Sequence, residues 1–466
     1  MTRRTPSPRL ALAAAAAALL VAGCASMAPT YERPAAPVAD AFPDAGGAGT
    51  PAAQTDWRAY FSDPRLARLI EIALADNRDL RVSVLNIETA RAQLGVTRSS
   101  EFPTLALAAA EQRGTAFQPP VVSAGLSVAS WELDLWGRVR SLTNAAAAQL
   151  AATEEARKAA QISLVASVAN AYVATAADVT QIDLAKQTLA TREDTLKLTQ
   201  LRFDHGVASD LDLQSAKSLV EQARVALSAA ERQRRLDQDA LVLLVGRPLP
   251  ADLPAAPAWD AMTFPDVPAG LPSDVLLQRP DVRQAEQQLV AANANIGAAR
   301  AAFFPTVTLT GSYGTASTQF DHLFEHSAWS FTPQIVLPIF DAGRNRANLS
   351  ISETGRDIAV ATYEKTIQSA FRDVADALAG RATLGEQLRS QRAETDAEAQ
   401  RYKLSDLRFR NGVASSLELL DAQRSLFAAQ QATVSAQLAL LQNRIAVYRA
   451  LGGGWTEPAT TAAVVR

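Results

Sequence analysis

Apolar and polar positions alternate in four places along the 466 residues: TLALAAAEQ at 104–112, GLSVASWELDL at 125–135, TVTLTGSYG at 306–314 and WSFTPQIVLPIF at 329–340. A period of two predicts strands with one apolar face, and about ten residues is what a tilted outer-membrane strand needs. Trp131, Trp136, Trp329, Phe331 and Phe340 lie in or at the ends of these stretches, where aromatic girdles sit at a membrane interface. Pro333 and Pro338 fit the last strand poorly, because proline lacks the N–H a ladder uses. The intervening 113–121 and 315–328 read as surface loops. Elsewhere the pattern is helical. Apolar positions at helical spacing fill 78–101 and 275–302, and Pro103 and Pro305 stop them. Residues 138–204 and 344–410 contain no proline and little glycine. Each predicts one continuous helix, about 100 Å long at 1.5 Å per residue. Such a helix is too long for a globular domain and too polar for a membrane span, so it needs partner helices along its length.

These elements occur twice in the same order. RDLRVSVLNIETARAQLGVTRSSEFPT at 78–104 aligns with PDVRQAEQQLVAANANIGAARAAFFPT at 280–306, pairing Gly95 with Gly297 and Arg98 with Arg300. LRFDHGVASDLDL at 201–213 returns as LRFRNGVASSLEL at 407–419. The chain is an internal duplication. In each copy the long helix closes on a left-handed glycine, Gly206 or Gly412. Ser209 or Ser415 then caps the next helix, with Asp212 or Glu418 at the capping-box position. Both stretches code a short helical hairpin. Turn chemistry accounts for the glycine, serine and acid. The identity of Val207-Ala208 with Val413-Ala414 is explained either by a docking surface at the two tips or by inheritance from the duplication.

Composition agrees with long helices: alanine dominates an apolar share of 48%, and alanine loses no side-chain entropy on entering a helix. A net charge of −3 offers no basic field for nucleic acid. The N-terminus reads as an export signal. Arg3, Arg4 and Arg9 precede the apolar run 10–22, which is too short to span a bilayer permanently. The run ends in L-V-A-G-C, which resembles a bacterial lipobox. It implies cleavage before Cys24, acylation of that residue with palmitate, and, with Ala25 rather than Asp after it, an outer-membrane destination. Cys24 is the only cysteine, so no disulfide forms within a chain.

An open sheet edge in lipid leaves backbone groups unsatisfied, so membrane strands must close into a barrel. Four strands are too few, since barrels start at about eight. If these strands lie in the membrane the chain must oligomerise, and two, three or four copies all satisfy the arithmetic.

SWELDLWGRVR (130–140), LQRPDVRQAEQQLVAANANIGAARAAFFPT (277–306), LPIFDAGRNRANL (337–349) and the two GVAS turns resemble the signatures of TolC-like outer-membrane efflux lipoproteins, across nearly the whole mature chain. The resemblance implies a mainly α fold with a transmembrane β-barrel. In it the duplicated helices build a long periplasmic α-helical barrel, joined to a twelve-stranded β-barrel shared by a homotrimer. It implies a passive duct in the outer membrane. Substrate would reach it from an inner-membrane pump, often of the resistance-nodulation-division class, through a periplasmic adaptor (membrane fusion protein) docked at the tips 206–209 and 412–415. A type I protein-secretion duct and a non-conducting coiled-coil lipoprotein are the alternatives. In such proteins charged side chains near the periplasmic end constrict the tunnel. The matching stretch here is KLSDLRFRNG at 403–412, which nominates Asp406, with Arg408 or Arg410 as its basic partner, as a gate.

The chain then divides into a signal peptide (1–23), a lipid-anchored N-terminal segment and equatorial region (24–77), repeat 1 (78–246, barrel strands within 103–135, tip 205–210), a Pro-rich equatorial connector (247–273), repeat 2 (274–452, barrel strands within 305–340, tip 411–416) and a tail (453–466). No catalytic constellation, phosphate loop or cysteine pair is present, so no enzyme activity is expected. No cofactor is expected beyond the lipid on Cys24. Of three histidines, His205 lies at a tip, while His322 and His326 sit four apart in a predicted loop, without an evident third metal ligand.

Overall fold

The computed structural model describes residues 26–43, 55–267 and 273–455. The signal peptide, Cys24 and the last eleven residues of the tail lie outside them. In chain order the described elements are α1 (Trp57–Tyr60), α2 (Pro64–Asp76), α3 (Arg78–Ser99), β1 (Leu105–Gly114), β2 (Phe117–Leu133), α4 (Arg138–Asp204), α5 (Asp210–Val245), α6 (Pro280–Ala301), β3 (Thr306–Ser317), β4 (Ser327–Val336), α7 (Arg344–Arg410) and α8 (Ser416–Ala450), with short 3₁₀ turns between some. The two copies of helix, strand pair, 67-residue helix, turn and helix are as the repeat predicts. The chain forms two compact units.

The first unit holds the strands, Val84–Ala156 and Asp281–Thr366 around them, and the arm up to Pro37. Its sheet is an antiparallel meander in the order β1-β2-β3-β4. The pairing registers put Leu107, Leu126, Tyr313 and Trp329 in one row and Leu105, Val128, Gly311 and Phe331 in another on the same face. The opposite face carries the row Ala106, Ser127, Ser312 and Ser330, where the Ser312 and Ser330 hydroxyls bond at 2.7 Å. Trp329 is 76% exposed and Leu107 82%. An apolar exposed face backed by small polar residues is the alternation of a membrane barrel wall.

Three details correct the sequence reading. Residues 113–121 are not a loop: β2 starts at Phe117, leaving only Thr115 and Ala116 as a turn. The prolines there are tolerated because β3 pairs β2 only from Val122 onward, so this stretch has a ladder on one side alone. Strand β4 ends at Val336, leaving Pro338 and Phe340 beyond it, while Pro333 sits in a strand paired on one edge only. Finally, Trp136 does not face outward. It stacks on Phe304 at 4.7 Å and donates from Nε1 to Pro305 O at 2.8 Å.

Two of the quoted signature acids, Asp134 and Asp341, prove to be helix caps. Asp134 accepts from Val139 N and Arg140 N at the start of α4, and Asp341 accepts from Gly343 N and Asn345 N at the start of α7. Between α4 and α6, Ala145, Ala148, Ala291 and Ala294 form a seam whose small side chains let the helices approach. The N-terminal arm is bound to α6. Arg33 makes a two-point ion pair with Glu286 (2.7 and 3.1 Å), Tyr31 donates to the same carboxylate, and Asn293 Nδ2 donates to Pro29 O. A Cβ on Gly297 would stand 2.7 Å from Ala28 N, whereas its copy-one counterpart Gly95 has open space around it. The shared glycine is sterically required in one repeat only.

The second unit comprises Val38–Ser83, Arg157–Pro280 and Ile367 onward. At its centre Tyr60 stacks on Tyr448 (4.0 Å, 3°), and Phe61 meets both edge-on. Phe264 from the Pro-rich connector packs edge-on against Phe61, so that connector is anchored by an aromatic rather than by regular structure. Asp63 caps α2 with Pro64 at its first position. Gly246 takes φ +81° after α5, and a Cβ there would collide with the backbone of Asp76.

One carboxyl with a raised pKa is built into this unit. Asp178 of α4 lies beside Asp237 of α5, and burial first, then that neighbouring carboxyl, pushes the Asp178 carboxyl up to about 7. A carboxyl whose folded pKa exceeds its unfolded value stabilises the fold below the unfolded value, near 4. That contribution disappears as pH rises toward 7. Asp178→Asn is therefore expected to flatten the fall in thermal stability between pH 5 and 8, read as the midpoint difference between mutant and wild type across that window. Parallel curves would exclude this carboxyl as its source.

Candidate functional site: paired hairpin tips and a charged helix face

Both tips end their long helix the same way. Gly206 has φ +71° and Gly412 +75°. Val207 N bonds Arg202 O at 2.8 Å while Gly206 N bonds Phe203 O at 2.9 Å, and in copy two Val413 N bonds Arg408 O at 2.9 Å while Gly412 N bonds Phe409 O at 3.0 Å. This closure satisfies the last carbonyls of α4 and α7. The next helices start on Ser209 and Ser415, each accepting from the backbone N–H three residues on. The second half of the expected capping box forms only in copy one, where Ser209 N donates to Asp212 at 3.1 Å. In copy two the longer Glu418 reaches Arg408 instead, at 3.3 Å.

The turns fold every docking candidate to the surface or near it. Val207 is 76% exposed and Val413 69%. Gly206, Ser209, Gly412 and Ser415 are exposed, while Ala208 and Ala414 are partly covered. Leu211 and Leu417, not singled out from the sequence, are equally exposed on the first turns of α5 and α8. Their signal was present, since they occupy matching positions of the repeated motif.

The two tips are joined by contacts that sequence reasoning missed. Arg202 at the end of α4 donates to Phe409 O at 2.9 Å and lays its guanidinium 4.1 Å from the centre of the Phe409 ring. Asp212 accepts from Ser209 Oγ at 2.6 Å and from Ser416 Oγ of the other hairpin. Those hydroxyls, Ser209 first, hold the Asp212 carboxyl below its usual range. A depressed carboxylate contributes stability above its unfolded pKa and loses it only as pH falls through the lowered value, so this tether stays charged at neutral pH.

On the charged face, the structure selects the basic partner of Asp406. Arg410 Nε donates to Asp406 Oδ2 at 2.7 Å, one helical turn away, and that bond raises the Arg410 pKa. Arg408 turns to Glu418 and is not part of the pair. In the strand loop, His322 Nδ1 lies 2.7 Å from Glu325 Oε1, and His322 also lies 3.7 Å from Asp321. Among the described residues no group of three His, Cys, Asp or Glu side chains is placed to hold a metal ion.

Comparison with known proteins decides the family. The model of the outer membrane efflux protein family matches residues 69–247 and 271–453, one segment over each copy of the duplicated unit. The chain belongs to that family. It is 45% identical over 465 residues to a toluene efflux pump outer membrane protein, TtgC, of Pseudomonas putida, covering 96% of each chain. Identity and coverage are the same with the antibiotic efflux pump outer membrane protein ArpC of Pseudomonas putida. Among solved structures, the open state of the Neisseria gonorrhoeae MtrE outer membrane channel superposes with a TM-score of 0.85 at 40% identity, over 92% of this chain and 98% of that one. The protein is thus an outer-membrane efflux channel and not an enzyme. Its fold joins helical-barrel and β-barrel elements, which gives the amphipathic sheet its setting.

Proposed function

We propose that three copies of this chain close into one passive duct, docked through its hairpin tips to a periplasmic adaptor that connects it to an inner-membrane pump. The observation that carries this reading is the four-stranded sheet. Its outward face is apolar, and β1 and β4 each have a strand partner on one side only. In lipid both edges must pair, and joining β4 of one copy to β1 of the next in a ring of three gives twelve strands. The tips favour the same arrangement. Within the chain Arg202 covers Phe409, leaving it 3% exposed, while the copy-one ring Phe203 stays 37% exposed. Repeating that joint around a ring sets Arg408 of one copy over Phe203 of the next. Native mass spectrometry of the protein extracted in detergent, with planar-bilayer conductance of the same sample, tests this. A conducting trimer is the expected result; a monomer, or a trimer that passes no current, overturns it.

The names of two relatives support a reading of the cargo. TtgC is named for toluene and ArpC for antibiotics, so small, largely apolar molecules are the substrate class, ahead of secreted proteins. The lipobox-like end assigns a lipid to Cys24. Cys24→Ser is expected to abolish radiolabelled palmitate incorporation and to leave an uncleaved precursor on a gel; continued labelling would place the lipid elsewhere.

The Asp406–Arg410 pair serves as the periplasmic restriction, three carboxylates around an axis being tolerable only with cations beside them. Asp406→Ala is expected to raise single-channel conductance about twofold or more, because a ring of fixed charge sets the passage at a narrow pore. Unchanged current would remove Asp406 from the gate.

A further inference from the structure

Arg192 lies about 18 Å from the end of α4, at 1.5 Å per residue, and is only 3% exposed. Its Nη1 donates to Leu219 O at 2.8 Å, and its guanidinium lies 5.3 Å from the centre of the Phe427 ring. Its Nε has no protein acceptor within reach. Among the described residues no carboxylate faces it, and the charged neighbour it feels is another cation, Arg424, whose own partner is Asp421. Burying a charge without a counter-charge is costly, and arginine cannot escape by losing its proton. One carbonyl and one aromatic face compensate part of that cost.

Arg192 borders a cavity of about 130 Å³. Since roughly 10–15 Å³ suffices for one water, this space has room for a small ion with water around it. Gln423 of α8 borders the same cavity, is 5% exposed, donates to Thr195 Oγ1 at 2.8 Å, and leaves its Oε1 without a donor. Tyr402 lines it too. Thus one cavity holds an uncompensated fixed cation and an unsatisfied acceptor. A hydrated anion answers both, taking the Arg192 N–H directly and passing a water hydrogen to Gln423.

We propose that this cavity is a binding site for a small monovalent anion of the halide or formate class, held by Arg192 and bridged through water to Gln423. The anion would lock α4 of the first hairpin to α8 of the second a few turns from their tips. With one fixed cation at the site, a monovalent anion is matched in charge and a divalent one is not.

The test uses the full chain purified in detergent. Crystals soaked in sodium bromide should show an anomalous peak within hydrogen-bond distance of Arg192, absent from Arg192→Met. In thermal unfolding, chloride should raise the wild-type midpoint by several degrees over the same ionic strength of the bulky HEPES anion. Gln423→Glu, which supplies the carboxylate internally without changing side-chain size, should unfold higher and without regard to chloride. It keeps the test decisive should Arg192→Met fold poorly. Bromide only at exposed basic residues, water alone in the cavity, a carboxylate from a neighbouring copy on Arg192, or a wild type indifferent to chloride would each overturn the proposal.

Discussion

A chain carrying aspartate at both Val207 and Val413 is expected to export no more than a strain lacking the channel, while reaching the outer membrane in normal amount. The fold has no reason to object. Both side chains are more than two-thirds exposed, and the closure at each tip uses their backbone N–H groups only. Exposed substitutions of this kind usually move stability by less than about 0.5 kcal/mol. The loss would fall on docking. Val207 with Leu211, and Val413 with Leu417, are exposed apolar pairs repeated in both copies, and a charge set into an apolar contact stays desolvated and unpaired. Centrally placed apolar contacts cost about 2 kcal/mol or more when lost, and each chain would lose two. Retention of a fluorescent efflux substrate in cells measures the effect, with single-channel current of the purified mutant as control. Normal current with abolished efflux places the defect at the adaptor. Normal efflux would leave the matching valines as inheritance from the duplication.

Much of this was legible in the sequence because it rests on local rules. Alternation located four strands, the absence of proline located two 67-residue helices, and glycine followed by serine located both tips. What escaped depends on reach or on long-range neighbours. Glu418 matches Asp212 in register, but one more methylene carries it to Arg408 and leaves its capping box half formed. Asp406 offered two basic partners, and only helical phase shows that Arg410, four residues on, is the one it meets. Gly95 and Gly297 are the same letter in an aligned motif, yet only Gly297 lies under the N-terminal arm. Arg192, Gln423 and their cavity carry no sequence signature, because they come together from helices more than 200 residues apart.

The sheet makes the second large prediction: Gly314→Val should remove the protein from the outer membrane. Gly314 of β3 pairs with Gly125 of β2, and the strands approach so closely that a Cβ on Gly314 would stand 2.5 Å from Gly125 Cα and nearer still to Ala124 O. Those obstacles are backbone, so no rotamer change relieves them. Ordinary overpacking costs about 1–3 kcal/mol, and a clash with a fixed ladder belongs at or above the top of that range. In a barrel wall the cost has no cheap outlet, because separating β2 from β3 strands a row of N–H and C=O groups in lipid. The internal control is Gly311→Ala on the same strand. There the nearest atom to an added Cβ is Ser330 O at 3.4 Å, ordinary contact distance. Outer-membrane fractions probed for the heat-resistant oligomer should therefore show near wild-type amounts of Gly311→Ala and almost none of Gly314→Val. Equal recovery of the two would mean that β2 and β3 separate in the assembled wall, and the closure of the sheet into a barrel would have to be drawn with a different register.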